Sequence, residues 1–129
     1  MDNKFKPTSE WLKQAEYDLE TAEAMSMAGR YIYSVFMCHL AIEKAIKGIY
    51  AKQIKKDPPK THDLVYLSET ISLDLSDEHS NFLDTLNDLS IPTRYPDEIE
   101  KLIKQYSKER SNELLNNTKD LLQCLKEKF

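Results

Sequence analysis

The feature that most constrains the fold is an unbroken helical pattern over residues 31–53. Apolar residues recur there at three- and four-residue spacing, and the segment contains one glycine and no proline. One face carries Tyr31, Val35, Cys38, Ile42, Ala45, Ile46 and Ile49. The opposite side carries Tyr33, Met37 and Leu40. A helix that is apolar on two faces is central in a bundle or is shared with a second subunit.

The rest of the chain also favours helices. The 129 residues include only 2 glycines and 5 prolines, whereas hairpins of a sheet usually need Gly or Asn-Gly turns. Further amphipathic segments cover about residues 8–27, 61–73, 77–91 and 97–126. Short connections make neighbouring helices antiparallel. We therefore predict an all-α fold in a single domain over residues 1–129: an up-and-down antiparallel bundle of four long helices plus a short extra helix.

Polar residues at the predicted helix ends fit this division. Thr8 or Ser9 is a suitable N-cap for the first helix, and Gly29 a suitable end. Thr61 is the expected N-cap of the third helix and Asp77 that of the fourth. The last helix is predicted to run without a break.

Charge and cysteine content narrow the class of protein. The formal net charge of −4 argues against strong nucleic-acid binding, which depends on clustered cations. No signal peptide or long apolar span is present, which indicates a cytoplasmic protein that does not enter membranes. Cys38 and Cys124 are isolated thiols, expected to be buried and reduced.

No familiar catalytic or metal-binding motif is present. The three histidines, at positions 39, 62 and 79, lack the spacing of metal ligands. Glycine-rich phosphate loops and nucleophile elbows are also missing. We therefore expect no metal, no cofactor and no catalytic residues of a common type.

Several charged residues interrupt the predicted apolar faces. Asp18 falls inside the apolar stripe of the first helix, and Arg110 interrupts that of the last. With Glu43 and Lys44 they are expected to form a buried polar cluster, because isolated buried charges are costly. This cluster is either an ion-pair network that fixes helix register or the wall of a polar pocket. Lys47 is expected to form a surface pair with Glu43.

The segment "THDL" at residues 61–64 has two interpretations. Capping by Thr61 and the effect of Asp63 on the helix dipole explain most of it, but leave His62 unexplained. The alternative is an anion site at the helix start, which Lys55, Lys56 and Lys60 would favour. Phosphate binding at this position is thus a hypothesis beside simple capping.

Four segments together resemble the HEPN domains. They are "WLKQAEYDLETA", "YSVFMCHLAIEKAIKGI", "THDLVYL" and "RYPD", in this order along the chain. The resemblance covers about residues 9–125, and the combination is more specific than any one segment. The chain is most similar to the branch of the family associated with nucleotidyltransferases.

The resemblance implies a helical homodimer encoded beside a minimal nucleotidyltransferase, as a toxin–antitoxin or nucleotide-binding pair. Tyr33, Met37 and Leu40 are then the candidate dimer interface, although the third or fourth helix could equally cover them. The candidates for contact with a nucleotide or with the partner enzyme are Thr61, His62, Asp63, Arg94, Tyr95 and Asp97.

Many members of the wider family are metal-independent ribonucleases with an Arg followed by a His after four to six residues. Here Arg30 and His39 are separated by eight residues, and no His follows Arg94 or Arg110. Our leading hypothesis is therefore an interaction module without chemistry of its own. The alternative is a ribonuclease toxin with a non-standard site that pairs His62 with Arg94.

Overall fold

The computed structural model describes residues 5–94 and 97–129, with the backbone alone at residue 94. This part of the chain forms seven α-helices and no strand, which confirms the all-α prediction. None of these helices combines the length and the apolar character needed to cross a membrane. In chain order the helices are α1 (Thr8–Met27), α2 (Tyr31–Ile54), α3 (Leu64–Thr70), α4 (Asp77–Asp88), α5 (Ser90–Arg94), α6 (Ile99–Gln105) and α7 (Lys108–Lys126).

The first two helices form an antiparallel pair. Near their connection the Ser34 hydroxyl donates to the carbonyl oxygen of Ala22 at 2.8 Å. At the far end the Thr8 hydroxyl donates to the carbonyl oxygen of Gly48 at 3.1 Å. The turn between them contains Gly29 at a φ of +77°, a left-handed conformation that glycine adopts without steric cost. The predicted end of the first helix is therefore correct.

α7 runs antiparallel to α1. The Nζ atom of Lys119 lies 2.9 Å from an oxygen of Glu23, and that of Lys126 lies 3.4 Å from an oxygen of Glu16. Rising residue numbers on α7 therefore meet falling numbers on α1. Because α1 is also antiparallel to α2, α2 and α7 run in the same direction.

α4 runs antiparallel to α7. Near its start, Nε2 of His79 lies 3.0 Å from Oδ2 of Asp120 in the second half of α7. Beyond its other end, Leu89 packs against a cluster that contains Tyr106 and Leu114, at the first half of α7. The four long helices α1, α2, α4 and α7 therefore alternate in direction, as the up-and-down prediction requires.

α2 lies at the centre of the bundle and contacts each of the other six helices. Its fully buried residues include Ile42, Ile46 and Ile49. Burying a large aliphatic side chain of this kind contributes about 1.5–3 kcal/mol. Residues of the other helices complete this core, among them Ala15, Ala22, Leu64, Leu67, Leu86, Leu121 and Leu125. The main apolar face of α2 is thus explained by packing within one chain.

The predicted N-cap of the third helix is wrong. Asp63 caps α3, with its Oδ1 atom accepting from the backbone N–H groups of Val65 and Tyr66 at 3.1 Å each. The Thr61 hydroxyl instead accepts from the backbone N–H of Asp63 at 3.2 Å. An aspartate carboxylate caps at least as well as a threonine hydroxyl, so the helix begins at the later position. It also ends at Thr70, three residues before the predicted end.

Two other predicted caps also differ. Ser76, one residue before Asp77, caps α4 by accepting from the backbone N–H of His79 at 3.1 Å. The Thr8 hydroxyl bonds to α2 rather than capping its own helix, and Pro7 occupies the cap position. The fourth segment is also shorter than predicted: α4 ends at residue 88, and the separate short helix α5 follows.

The predicted single helix over residues 97–126 is wrong. The chain leaves the helical conformation at Tyr106, where φ is −103° and ψ is 75°, and α7 begins after Ser107. The Ser107 hydroxyl accepts from the backbone N–H of Arg110 at 3.2 Å. Serine is a preferred N-cap because its hydroxyl replaces a missing helical acceptor. The apolar periodicity of residues 99–125 hid this break.

Candidate functional site

The most buried ionic group in the bundle is centred on Glu43 of α2. Glu43 is 4% exposed. Its Oε2 atom lies 3.0 Å from Nζ of Lys47, and its Oε1 atom lies 2.9 Å from Nδ1 of His62. Nδ1 of His39 lies 3.7 Å from the same Oε1 atom. We call these four residues the Glu43 cluster. A buried carboxylate without partners is costly, so the three basic groups explain how Glu43 is accommodated.

Helical spacing and one loop assemble this cluster. His39, Glu43 and Lys47 follow at four-residue intervals and share one face of α2. His62 comes from the segment before α3, and its side chain is 55% exposed. The cluster therefore runs from the core to the surface, where His62 is its exposed end. The predicted pair of Lys47 with Glu43 forms, but it is buried rather than at the surface.

The start of α3 has no free donors for an anion. Asp63 accepts from the first-turn N–H groups of Val65 and Tyr66, and Oδ1 of Asn87 accepts from that of Leu64 at 2.8 Å. The Asn87 amide also donates to Oδ1 of Asp63 at 3.1 Å. These contacts join α3 to the end of α4. Side chains of the protein thus occupy the backbone donors of this helix start, and phosphate binding by the neighbouring lysines and His62 stays a prediction.

The four residues predicted to form one buried polar cluster do not lie together. Asp18 is buried and pairs with Lys44, whose Nζ atom lies 2.8 Å from its Oδ2 atom. This pair joins α1 to α2 and is separate from the contacts of Glu43. Arg110 is exposed on α7. Its predicted burial is wrong because the break at Ser107 changes the helical register on which that prediction rested.

The loop candidates around residue 95 are only partly described. The backbone of Arg94 ends α5, while its side chain and the whole of Tyr95 lie outside the described residues. Asp97 is exposed beside a shallow cleft formed with Pro92 and Lys101. Thr61, His62 and Asp63 lie together because they are consecutive in the sequence. The pairing of His62 with Arg94 stays a prediction.

The predicted dimer residues form a partly exposed strip on α2. Tyr33 is 52% exposed, while Met37 and Leu40 are half-buried. Met37 packs against the main core of the chain, and Leu40 is not among the residues that do so. We call Tyr33, Met37 and Leu40 the α2 strip. Its most exposed member is Tyr33.

A groove that the sequence did not reveal adjoins this strip. It has a volume of about 380 Å³ and lies between the start of α2 and α6. We call it the α2–α6 groove; its lining residues are Gly29, Arg30, Tyr31, Ile32, Tyr33, Ile99, Ile103 and Tyr106. Ile99 and Ile103 are 46% and 59% exposed. In the continuous last helix that the sequence predicted, they would share the inward face with Leu114 and Leu121, so their exposure was not foreseen.

The cysteines and histidines give no sign of redox or metal chemistry in the described part of the chain. Cys38 and Cys124 are both free thiols. Burial raises the pKa of Cys38 to about 11, although a hydrogen bond with Thr118 and the charge of Lys119 partly oppose this shift. No group of three or more His, Cys, Asp or Glu residues is arranged to hold a metal ion within the residues described.

The fold and the candidate sites define a class of protein. It is an all-helical, up-and-down bundle domain whose central helix carries the buried Glu43 cluster and the partly exposed α2 strip. The model of the HEPN domain family matches residues 8–128. The chain belongs to the HEPN family.

Two solved structures share this fold. The crystal structure of TT1696 from Thermus thermophilus is 25% identical, with a TM-score of 0.82 over 95% of this chain and 98% of that chain. The crystal structure of ST0689, an archaeal HEPN homologue, is 26% identical, with a TM-score of 0.74 and the same coverage. No curated protein matches the chain.

Proposed function

We propose that this HEPN protein is a non-catalytic interaction module that forms a homodimer and acts with a minimal nucleotidyltransferase, in a pair of the toxin–antitoxin type. The observation that carries the proposal is the α2 strip. α2 is the central helix of the bundle, and yet Tyr33 is 52% exposed on it. Ile99 and Ile103, which are 46% and 59% exposed, line the same groove as Tyr33, and contiguous apolar surface of this kind on a small protein suits an interaction site.

A two-fold contact suits the strip. In an isologous dimer the same surface meets its copy, so a single apolar strip is sufficient for both subunits. Met37 already packs against the core, which leaves Tyr33 and Leu40 to contact the second copy. A stable interface needs about 800 Å² from each subunit, so residues on the helices beside α2 must contribute as well.

The exposed loop before α3 suits contact with the nucleotidyltransferase or with a nucleotide. His62 is held by Glu43, and Asp63 by the Asn87 amide, so these side chains are ordered before a partner binds. Ordering in advance lowers the entropic cost of binding. Thr61 is next to them, while Arg94, Tyr95 and Asp97 follow α4 and remain candidates for the same role. The family resemblance supplies the identity of the partner.

Co-expression tests the partnership. We expect the chain to co-elute in size exclusion with the nucleotidyltransferase encoded beside it. His62→Ala should weaken this association by about tenfold, the effect of losing one charge-assisted contact. His79→Ala is the matched control, because His79 lies on α4 and pairs with Asp120 instead. A chain that elutes separately from its neighbour's product contradicts the proposal.

A second candidate function is metal-independent RNA cleavage, which one contact favours. The buried Glu43 carboxylate lies 2.9 Å from Nδ1 of the exposed His62 ring. A carboxylate on one ring nitrogen orients the imidazole and leaves the other nitrogen to transfer a proton. Arg94 is the candidate cation for the scissile phosphate.

To test for metal-independent RNA cleavage, the purified protein is incubated with single-stranded RNA in the presence of a metal chelator. His62→Ala should abolish cleavage, whereas His79→Ala should retain it. Cleavage that survives His62→Ala removes the ribonuclease candidate.

A further inference from the structure

We propose that the loop between α2 and α3 docks an acidic surface patch of a protein partner, the nucleotidyltransferase of the proposed function. We call residues 55–60, with Lys55, Lys56 and Lys60, the lysine loop. The inference rests on the proposed partnership and adds the chemistry by which the partner is recognised. It concerns the same face as His62, which follows Lys60 by two positions.

Charge is distributed unevenly along the chain. Residues 52–60 contain four lysines and one aspartate, a net charge of +3. The whole chain carries −4, so the remaining 120 residues carry −7. An acidic partner is therefore attracted at this segment and repelled, on average, by the rest of the surface. A charge pattern of this kind steers association and selects the orientation of docking.

The charge of the lysine loop is not compensated by nearby carboxylates. Lys55, Lys56 and Lys60 are exposed, and none of them forms an ion pair with any residue that the structure describes. The one carboxylate of the loop, that of Asp57, accepts instead from the backbone N–H of Lys6 at 3.3 Å. Three cations of the loop are thus available to a partner.

The dipole of α2 explains only part of this charge. Cations near the carboxyl end of a helix are favourable, but the effect is confined to the last turn. α2 ends at Ile54 and Lys55 is its C-cap, so Lys55 interacts favourably with the dipole. Lys56 lies beyond the cap, and Lys60 follows two prolines. The stability of α2 therefore does not account for the charges of Lys56 and Lys60.

The lysine loop is held in place before a partner binds. The backbone N–H of Lys55 donates to the carbonyl oxygen of Ala51 at 3.0 Å, and that of Thr61 donates to the carbonyl oxygen of Pro59 at 2.9 Å. Pro58 is buried and anchors the middle of the loop. Proline also has a restricted φ. A loop that is fixed in this way loses less conformational entropy on binding.

The size of the lysine loop favours an acidic protein patch over RNA. Six residues span at most about 20 Å, and three cations within this space match a compact group of carboxylates. A single strand of RNA is instead bound along a positively charged groove with aromatic rings on which its bases stack. Such a strand would extend from the loop over a surface whose net charge is negative. RNA binding is therefore the competing outcome of the test.

Charge reversal tests the proposal on the full chain and its co-expressed partner. Lys56→Glu/Lys60→Glu, which leaves the cap residue Lys55 in place, should weaken association with the nucleotidyltransferase by about tenfold or more, mainly through a slower association rate. Biolayer interferometry gives both rates. For the unchanged chain, raising NaCl from about 0.05 M to about 0.5 M should weaken binding similarly, because salt screens exposed charges.

The matched control is Lys104→Glu/Lys108→Glu. Both lysines are exposed, and they lie on α6 and at the start of α7. Because α2 and α7 run in the same direction, this position is at the opposite end of the bundle from the lysine loop. The control changes the net charge by the same amount and should leave the affinity within about twofold. Thermal unfolding checks that both double variants are folded.

The outcomes separate this inference from the proposed partnership. If the unchanged chain does not bind the nucleotidyltransferase at either salt concentration, the partnership fails and the inference fails with it. If binding persists and Lys56→Glu/Lys60→Glu has no more effect than the control, the inference alone is overturned. Fluorescein-labelled single-stranded RNA is titrated in parallel. Loss of RNA binding with unchanged partner binding would make the loop a nucleic-acid surface and would also overturn the inference.

Discussion

At the scale of single residues, Glu43 is the position where burial and charge conflict most strongly. Its carboxylate is buried on α2 and is held by Lys47 and His62 at 3.0 Å and 2.9 Å. Lys47 is also buried. A pair of this kind contributes little net stability when intact, but removing one member leaves the other charge uncompensated. The cluster is therefore sensitive to the loss of either partner.

Glu43→Ala should lower the free energy of unfolding by about 3 kcal/mol, because it leaves Lys47 buried without a counter-charge. Urea denaturation measures the change. Glu16→Ala is the matched control: Glu16 pairs with Lys126 at a more exposed position, and its loss should cost less than about 1 kcal/mol. The double variant Glu43→Ala/Lys47→Met should recover part of the lost free energy of unfolding, because it removes the uncompensated charge of Lys47. Equal effects of the two single variants would contradict the assigned role of the cluster.

The thiol of Cys38 should be unreactive in the folded protein. Burial raises its pKa to about 11 from 9.0, so the reactive thiolate is scarce at pH 8. Iodoacetamide should therefore label the partly exposed Cys124 first, as mass spectrometry after short exposure can show. Because burial raises the pKa, the Cys38 thiol loses its proton at a lower pH in the unfolded state than in the folded state. The free energy of unfolding should therefore fall as the pH rises from 9 towards about 11. Early labelling of Cys38 would show that its site opens readily.

At the scale of helices, packing around Gly48 explains how closely α1 and α2 approach. A Cβ atom at this position would lie 2.9 Å from Cβ of Trp11 and 2.8 Å from Cε2 of Phe129. The Trp11 atom is held close to the helix backbone and has little freedom to move. Glycine within a long helix is otherwise unfavourable by about 1 kcal/mol, so close packing is the reason for it here.

Gly48→Ala tests this packing through the sign of its effect. Helix propensity alone would stabilise the protein by about 1 kcal/mol, whereas overpacking costs about 1–3 kcal/mol. Since the contact with Trp11 has little room to relax, we expect a net loss of stability in chemical denaturation. A stabilised variant would mean that the two helices separate at little cost.

The helices also show which features a sequence reveals. The long apolar periodicities predicted α1 and α2 to within one or two residues of their observed ends. Caps were harder to predict, because several polar residues in a row compete, as Thr61 and Asp63 do before α3. The break at Ser107 was missed for a related reason: a serine inside a periodic pattern fits both an exposed helical position and an N-cap.

At the scale of the whole molecule, the fold was more predictable than the sites. The order and direction of the long helices follow from amphipathic patterns and short connections. The Glu43 cluster depends on which loop meets α2, and helical periodicity within one segment carries no information about that contact. The α2–α6 groove exists because the last helix is divided at Tyr106, so the error in the helix prediction also concealed the groove.

The central claim is that the α2 strip joins two copies of the chain, and the molar mass in solution tests it most directly. Size exclusion with light scattering should give about twice the chain mass of 15.1 kDa for the unchanged protein. Leu40→Asp should give a folded monomer, because Leu40 is half-buried without belonging to the main core. Ile54→Asp, the control at the exposed end of the same helix, should remain a dimer. A monomeric unchanged protein, or a Leu40→Asp variant that stays dimeric, would contradict the claim.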